Sequence, residues 1–376
     1  MIPDNLSIYT QGALCLIAMD GCEELGKFVD AHIKEEREGQ IQPESYMITV
    51  DQIRFSNGEA KVKIAESVRG KDVYILCDIG NHAVTYKMYG TTNFKSPDEH
   101  FQDIKRVLSA IAGKSKRTTI IMPLLYASRQ DRRKGRESLD CAMALQELER
   151  MGVKDIITFD VHNAAVQNAV PLCSFENLYA TYEIVRTFIR DEEEISMDND
   201  DLLVISPDTG AMDRAIYYSS VLGIDVGLFY KRRDYSRVVN GKNPIVQHEY
   251  LGRNVKDQNI IIIDDMISSG ESVIDIVQEL RKREAKKIFV ATTFAFFTEG
   301  PSTFTKLYEQ GILNRVYSTN LTYVPNSIKQ MEWYREVDMS KYLASVIDNL
   351  NHNYSIEPLI DATNHLKAFI EESRVH

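Results

Sequence analysis

Residues 260–263 are four consecutive isoleucines, and Asp264 and Asp265 follow at once. Branching at Cβ stiffens these side chains and suits them to a pleated strand. A run that is apolar without alternation belongs in a sheet covered on both faces. Six further segments read the same way: Asp72–Cys77, Thr118–Met122, Asp155–Phe159, Leu202–Ile205, Asp225–Tyr230 and Lys287–Thr292. Helical patterns lie between them, as in Ser272–Arg283, where Val273, Ile276, Val277 and Leu280 recur at helical spacing. Strand and helix in alternation predict an α/β architecture with mainly parallel sheets flanked by helices.

At ~150 residues per domain, a chain of 376 residues suggests two domains. A weak internal repeat agrees. Glu137-Ser-Leu opens a helical pattern leading to Lys154-Asp-Ile-Ile, and Glu271-Ser-Val opens another leading to Lys286-Lys-Ile-Phe. The acidic run Asp191–Asp201 lies between the halves and is expected to be a solvated connection or a surface loop. We place the domains at 1–187 and 188–376, with a C-terminal tail from about residue 355.

Forty-four Lys and Arg against 55 Asp and Glu leave a net charge of −11, which excludes gripping nucleic acid or an anionic membrane through the overall field. The five cysteines (Cys15, Cys22, Cys77, Cys141, Cys173) are odd in number and lack the Cys-x-x-Cys spacing of a thiolate metal site. No apolar run approaches the ~18 residues that cross a membrane. The short stretch Ala13–Met19 has no basic residue before it, so it is not expected to act as a signal peptide. A reduced, cytoplasmic protein without nucleic-acid or membrane partners is the expectation.

The segment Ile260–Ser272 carries the chemistry. Open parallel sheets bind ligands at the carboxyl ends of their strands, where Asp264 and Asp265 fall. The following loop offers Ser268, Ser269, Gly270 and Ser272, then enters a helix. Backbone N–H groups, hydroxyls and the helix dipole make a phosphate cradle there, and glycine allows close approach. Carboxylates beside such a cradle fit a ligand that also offers hydroxyls, as a sugar phosphate does. Neither a P-loop nor a dinucleotide glycine pattern is present.

At these residues the chain resembles the type I phosphoribosyltransferase fold family, whose fingerprint for phosphoribosyl pyrophosphate this is. Within that fold it resembles the ribose-phosphate pyrophosphokinases, also called phosphoribosyl pyrophosphate synthetases. The likeness runs from about Arg54 to about Ser355 and rests on five stretches in order. They are Arg54-Phe-Ser-Asn-Gly-Glu59, Arg129-Gln-Asp131, Asp160-Val-His162, Ser206-Pro-Asp-Thr-Gly210, and Lys231-Arg-Arg233 followed by the acidic fingerprint. The resemblance implies two tandem phosphoribosyltransferase-like domains, each with a five- or six-stranded sheet. The first is the ATP side, and the second holds ribose 5-phosphate and a catalytic loop over 231–259.

The implied reaction moves the diphosphoryl group of ATP onto the anomeric hydroxyl of ribose 5-phosphate and leaves AMP. By resemblance, Lys231 and Arg233 stabilise the transferring group from a closing loop, and Asp264, Asp265, Ser268, Ser269, Gly270 and Ser272 hold the sugar phosphate. Phe55, Asn57 and Glu59, reaching in from a neighbouring subunit, hold ATP together with Arg129 and Gln130. His162 and Asp208 hold Mg²⁺ on the phosphates, directly or through waters. A homo-oligomer, dimer or hexamer, is implied as well. Many family members read Asp-Thr-Ala-Gly-Thr where this chain has Ser268-Ser-Gly-Glu-Ser272, so one carboxylate is missing here. Two alternatives stay open: a phosphoribosyltransferase that consumes phosphoribosyl pyrophosphate, and a non-catalytic regulatory homologue of the synthetase.

Overall fold

The structure is a computed structural model that describes residues 10–133, 135–233, 245–361 and 363–373, with the backbone alone for 231–233, 245–248, 364–365 and 371–373. It forms two compact units, each with its own sheet.

The first unit comprises the chain to Tyr179 together with Asn320–Tyr323 and Asp338–Asp361. Its elements begin with β1 (Leu14–Ala18), α1 (Glu23–Glu36), β2 (Val50–Arg54), β3 (Ala60–Ile64), β4 (Asp72–Leu76), β5 (Thr85–Met88) and β6 (Thr91–Phe94). They continue with α2 (Pro97–Ile111), β7 (Arg117–Ile121), α3 (Asp140–Arg150), β8 (Asp155–Phe159) and β9 (Ser174–Leu178). Strands β1-β4-β7-β8-β9 make a wholly parallel five-stranded sheet, while β2-β3 and β5-β6 are separate antiparallel hairpins. Every residue of β4 is buried, as its continuous apolar run requires. Helix α2 starts on a capping box between Ser96 and Glu99 with Pro97 in its first turn, and it ends at Ala112 in the left-handed region.

The second unit opens with α4 (Thr181–Asp191), β10 (Leu202–Ser206), α5 (Met212–Leu222), β11 (Val226–Arg233), β12 (Ile245–Leu251), β13 (Asn259–Ile267) and α6 (Glu271–Lys282). It continues through β14 (Ile288–Ala295), α7 (Ser302–Glu309), β15 (Arg315–Thr319), α8 (Asn326–Lys329) and β16 (Tyr334–Val337). The sheet order is β12-β11-β10-β13-β14-β15-β16, all parallel except the edge strand β12. Helix α6 buries Val273, Ile276, Val277 and Leu280, the face its spacing predicted.

Helices α9 (Ser340–Asn351) and α10 (Glu357–Ile360) belong to the first unit and α11 (Thr363–Ser373) to the second. Helix α9 packs on α1. Its last residue, Asn351, receives Arg37 Nη2 at 2.8 Å and donates to the buried Asp72 at 2.9 Å. Thr322 is held in the same unit by buried Asp78, whose carboxylate also accepts from the Tyr323 and Gly80 amides at 2.8 and 3.0 Å. Burial pushes the Asp78 carboxyl up to about 6, against the pull of these donors.

Two expectations are revised, and packing adds detail to two more. The second sheet has seven strands, because β12 adds an antiparallel edge inside the segment expected to be a loop over 231–259; residues 234–244 lie outside the described residues. Lys231 and Arg233 sit on β11 itself, Lys231 at register with His248 and Arg233 with Ile245 beyond an irregularity. Packing divides the chain at Tyr179/Ala180, so a boundary after 187 would cut α4, and the chain then returns to the first unit. The acidic run is docked: Glu192 is buried against Arg315 and Tyr317, and Asp191 pairs with Arg335 at 2.6 Å. Basic residues on and before β14, β15 and β16 satisfy those acids, which composition alone could not reveal.

Gly270 caps α6 at φ +86°, and a Cβ there would lie 2.7 Å from the Phe304 ring. Phe304 is buried and stacked on Trp333, so it has no room to yield. Gly270→Ala should therefore destabilise the second unit by roughly 2–4 kcal/mol. A urea midpoint equal to that of the parent chain would refute this account of the loop.

Candidate functional site

The second sheet grows outward in both directions from β10 and β13. Strand β10 leads to β11 on one side, and β13 leads to β14 on the other. A crevice between two strands whose connections diverge is where open α/β sheets bind ligands. Pairing between the two runs from Leu202↔Asn259 to Ile205↔Ile262 and then stops, whereas β13 stays paired with β14 as far as Ile267↔Ala295. Asp264 and Asp265 therefore lie just where β13 has lost its β10 neighbour.

Asp208 follows β10 and reaches the same crevice. Its Oδ1 accepts from the amides of Gly210 at 2.8 Å and Ala211 at 3.2 Å, while Ser206 Oγ donates to its carbonyl at 2.7 Å. Burial, then the neighbouring Asp265 carboxylate, push Asp264 well up, to about 8. The Asp265 amide, which donates to Asp264 Oδ1 at 2.9 Å, and the Arg214 guanidinium pull the other way, and Asp208 adds to the rise. Arg214, in the first turn of α5, was not singled out from the sequence; its position six residues after Asp208 is the signal that marks it.

The loop after β13 is held by backbone hydrogen bonds. Thr298 N donates to the Ser268 carbonyl at 3.0 Å and Phe296 N to the Ile267 carbonyl at 2.8 Å, which fixes its backbone. Gly270 turns the chain into α6, whose first turn has no side-chain cap beyond a long contact of 3.4 Å from Glu271 N to Ser269 Oγ. Its first-turn amides and the hydroxyls of Ser268, Ser269 and Ser272 are the groups expected to receive an anion.

In the first unit, the expected residues fall into two groups. Gln130 N bonds the Ala127 carbonyl at 2.8 Å, and Ala127 has φ +55°, so Arg129 and Gln130 stand exposed on a tight turn beyond β7. His162 is exposed on the loop after β8, entered through Asp160 at φ +50°. The two loops are tied together by Asn163 Nδ2 on Asp131 at 2.5 Å. Phe55, Asn57 and Glu59 lie apart from that sheet, on the turn joining β2 to β3. Phe55 is 44% exposed with Lys61 over its ring, and Asn57 Nδ2 donates to Glu59 Oε2 at 2.9 Å. The side chains of Lys231 and Arg233 lie outside the described residues.

Of the two residues expected to hold Mg²⁺, Asp208 offers the carboxylate oxygen that a hard divalent cation takes. Asp208 Oδ1 is engaged by its own turn, and the Arg214 guanidinium acts on the Asp264–Asp265 pair. Among the described residues, no group of three or more His, Cys, Asp or Glu forms a closed metal cage. An exposed cation held mainly by substrate phosphates would need none.

Comparison with known proteins shows the family and the fold. The family described as the N-terminal domain of ribose phosphate pyrophosphokinase matches residues 14–152, and the phosphoribosyl transferase domain matches residues 174–303. A ribose-phosphate pyrophosphokinase of Ralstonia nicotianae is 30% identical over 251 residues, 66% of this chain and 70% of that protein. One from Mycoplasma genitalium is 28% identical over 300 residues, 78% of this chain and 81% of that protein. The crystal structure of phosphoribosylpyrophosphate synthetase from Mycobacterium smegmatis has the same fold, with a TM-score of 0.73 over 91% of this chain and 99% of that one at 23% identity.

The raised Asp264 carboxyl makes stability depend on pH. Between its ordinary value and its folded one, the folded chain holds a proton that the unfolded chain releases, so stability falls as pH rises through that window. Asp264→Asn should leave stability almost unchanged near pH 4 and raise it by about 1–2 kcal/mol at pH 8 and above. Denaturant titrations across pH 4–9 check this; a gain independent of pH would refute the cause assigned to the shift.

Proposed function

The chain belongs to the ribose-phosphate pyrophosphokinase family, and from that premise we infer that it moves the β,γ-diphosphoryl group of ATP to ribose 5-phosphate. The products are 5-phosphoribosyl 1-pyrophosphate, a precursor for nucleotide biosynthesis, and AMP. One observation carries the reading: a pyrophosphokinase N-terminal domain precedes the unit with the acid–serine–glycine crevice. A phosphoribosyltransferase that consumes phosphoribosyl pyrophosphate has no use for the first.

In this reading, the Asp264 and Asp265 carboxylates accept from the ring hydroxyls of the pentose. The 5-phosphate lies on the first-turn amides of α6 and the hydroxyls of Ser268, Ser269 and Ser272, with Gly270 allowing close approach. So held, the anomeric oxygen attacks the β-phosphorus in line, and the bond from that phosphorus to the α,β-bridging oxygen breaks. AMP departs with that oxygen, and the hydroxyl's proton passes to solvent. Little covalent work is left to the protein, so positioning and charge stabilisation dominate. Lys231 and Arg233 supply that positive charge from β11.

Phe55 offers a face for the adenine, with Asn57, Glu59, Arg129 and Gln130 completing the nucleotide's contacts. Asp208 and His162 would hold Mg²⁺ on the phosphates, and the cation would neutralise charge on the phosphoryl oxygens. Phe55 belongs to a hairpin outside the main sheet, which supports its serving a neighbouring copy in a homo-oligomer, dimer or hexamer. Five free, buried cysteines support work in the reducing cytoplasm.

Incubation with ATP, ribose 5-phosphate and Mg²⁺ should release AMP without any added nucleobase. Lys231→Ala and Arg233→Ala should each lower kcat by about 10²–10³-fold, as loss of a transition-state charge partner does. Absence of AMP from the parent chain, with and without inorganic phosphate, would sink the diphosphokinase reading. Unchanged turnover in both variants would sink only the roles given to these two residues.

A further inference from the structure

The Phe55–Glu59 turn is not left to itself. The hairpin β5–β6 is laid against it, and the contacts fall on the turn and the strand residue before it. Tyr89 N, at the tip of that hairpin, donates to the Ser56 carbonyl at 2.8 Å. Met88 Sδ lies 2.6 Å from where a Cβ of Gly58 would be, so Gly58, at φ +91°, is both turned and covered. Arg54, the last residue of β2, is stacked on the Tyr86 ring at 5.0 Å. The Tyr86 hydroxyl is hydrogen-bonded to Glu99 on α2.

A buried set of charges holds this assembly to the main sheet. Lys95, just after β6, is 4% exposed and donates to Asp20 at 2.7 Å and to Asp103 at 2.9 Å. Asp103 also receives Arg54 at 2.8 Å and Arg106 at 2.6 Å, and Asp20 receives Gln52 of β2 at 2.8 Å. Both hairpins are thus bolted to the residue beyond β1 and to α2. A solvent-exposed turn of five residues would otherwise sample many conformations and lose that freedom on binding.

We propose that the β5–β6 hairpin is a clasp that presets the Phe55–Glu59 turn for the nucleotide, with Tyr86 and Met88 as positioning residues. The proposal rests on the reading that this turn contacts ATP. The clasp belongs to the first unit and the acid pair and serine loop to the second, so its effect falls on nucleotide binding and spares the pentose and the chemical step.

Steady-state kinetics on the full chain tests this. Tyr86→Leu and Met88→Ala should each raise KM for ATP by about 5–20-fold, with kcat and KM for ribose 5-phosphate within about twofold of the parent. Tyr86→Phe keeps the ring under Arg54 and should restore most of the affinity. Should Tyr86→Leu fail to fold, Met88→Ala, which removes no charge or hydrogen bond, carries the same reading. Unchanged KM for ATP in the folded variants overturns the clasp, as does a parallel rise in both KM values. Phe55→Ala separates the two claims. If it raises KM for ATP while the clasp variants do not, only the clasp falls; if it too is without effect, the nucleotide role of the turn falls and the clasp with it.

Discussion

The point on which the second unit turns is the place where β10 stops and β13 goes on. Up to Ile262 the isoleucine run is hydrogen-bonded on both sides, and Ile260–Ile263 are buried. Beyond it, pairing continues with β14 alone of the two neighbouring strands, and Asp208 follows β10 on the other side. Two carboxylates carried by such a strand cannot all stay fully hydrated. Burial and mutual repulsion raise Asp264, and that cost persists in the folded chain. In the proposed reading, the sugar's hydroxyl donors would relieve it.

The same constraint separates the two units. In the first sheet the order β1-β4-β7-β8-β9 adds strands in one direction only, so no pair of neighbouring connections diverges among the described residues. Leu124, Leu125 and Tyr126 follow β7 there, and Tyr126 stacks on Phe101. Where the second unit has the acid pair, the first has a filled apolar corner. Its candidate residues sit on loops above the sheet instead, Arg129 and Gln130 beyond β7 and His162 beyond β8.

Much of this was legible in the residues, and what was not has physical causes. Continuous apolar runs announced the buried parallel strands because nothing else tolerates them. The acid pair and serine loop could be placed because strand, turn and helix follow one another within thirteen residues. Strand β12 escaped because Ile245-Val-Gln-His-Glu-Tyr-Leu251 covers a sheet edge, where polar residues are tolerated and Gly241 and Pro244 just upstream suggested a loop. Lys231 and Arg233 moved onto β11 for the same reason, since pairing with β12 prolongs it. The return of Asp338–Asp361 to the first unit was invisible, because helix spacing shows that α9 has an apolar face without showing what covers it. Docking of Glu192 likewise depends on Arg315 and Tyr317, more than a hundred positions away.

The charges beneath the two hairpins show what a buried polar network is suited to. Asp103 faces three cationic side chains, Lys95, Arg54 and Arg106, and Lys95 in turn faces a second acid in Asp20. Withdrawing these groups from water costs several kcal/mol per ion, and apolar residues of the same volume would stabilise the fold at least as well. Apolar packing, however, accepts many orientations of a hairpin, whereas a carboxylate shared by three donors at 2.6–2.9 Å accepts very few. The network makes sense where orientation matters more than stability. That is the situation of a turn whose exposed side chains must meet a ligand in a fixed pose, and it ties the least core-like part of the first unit to its most rigid one.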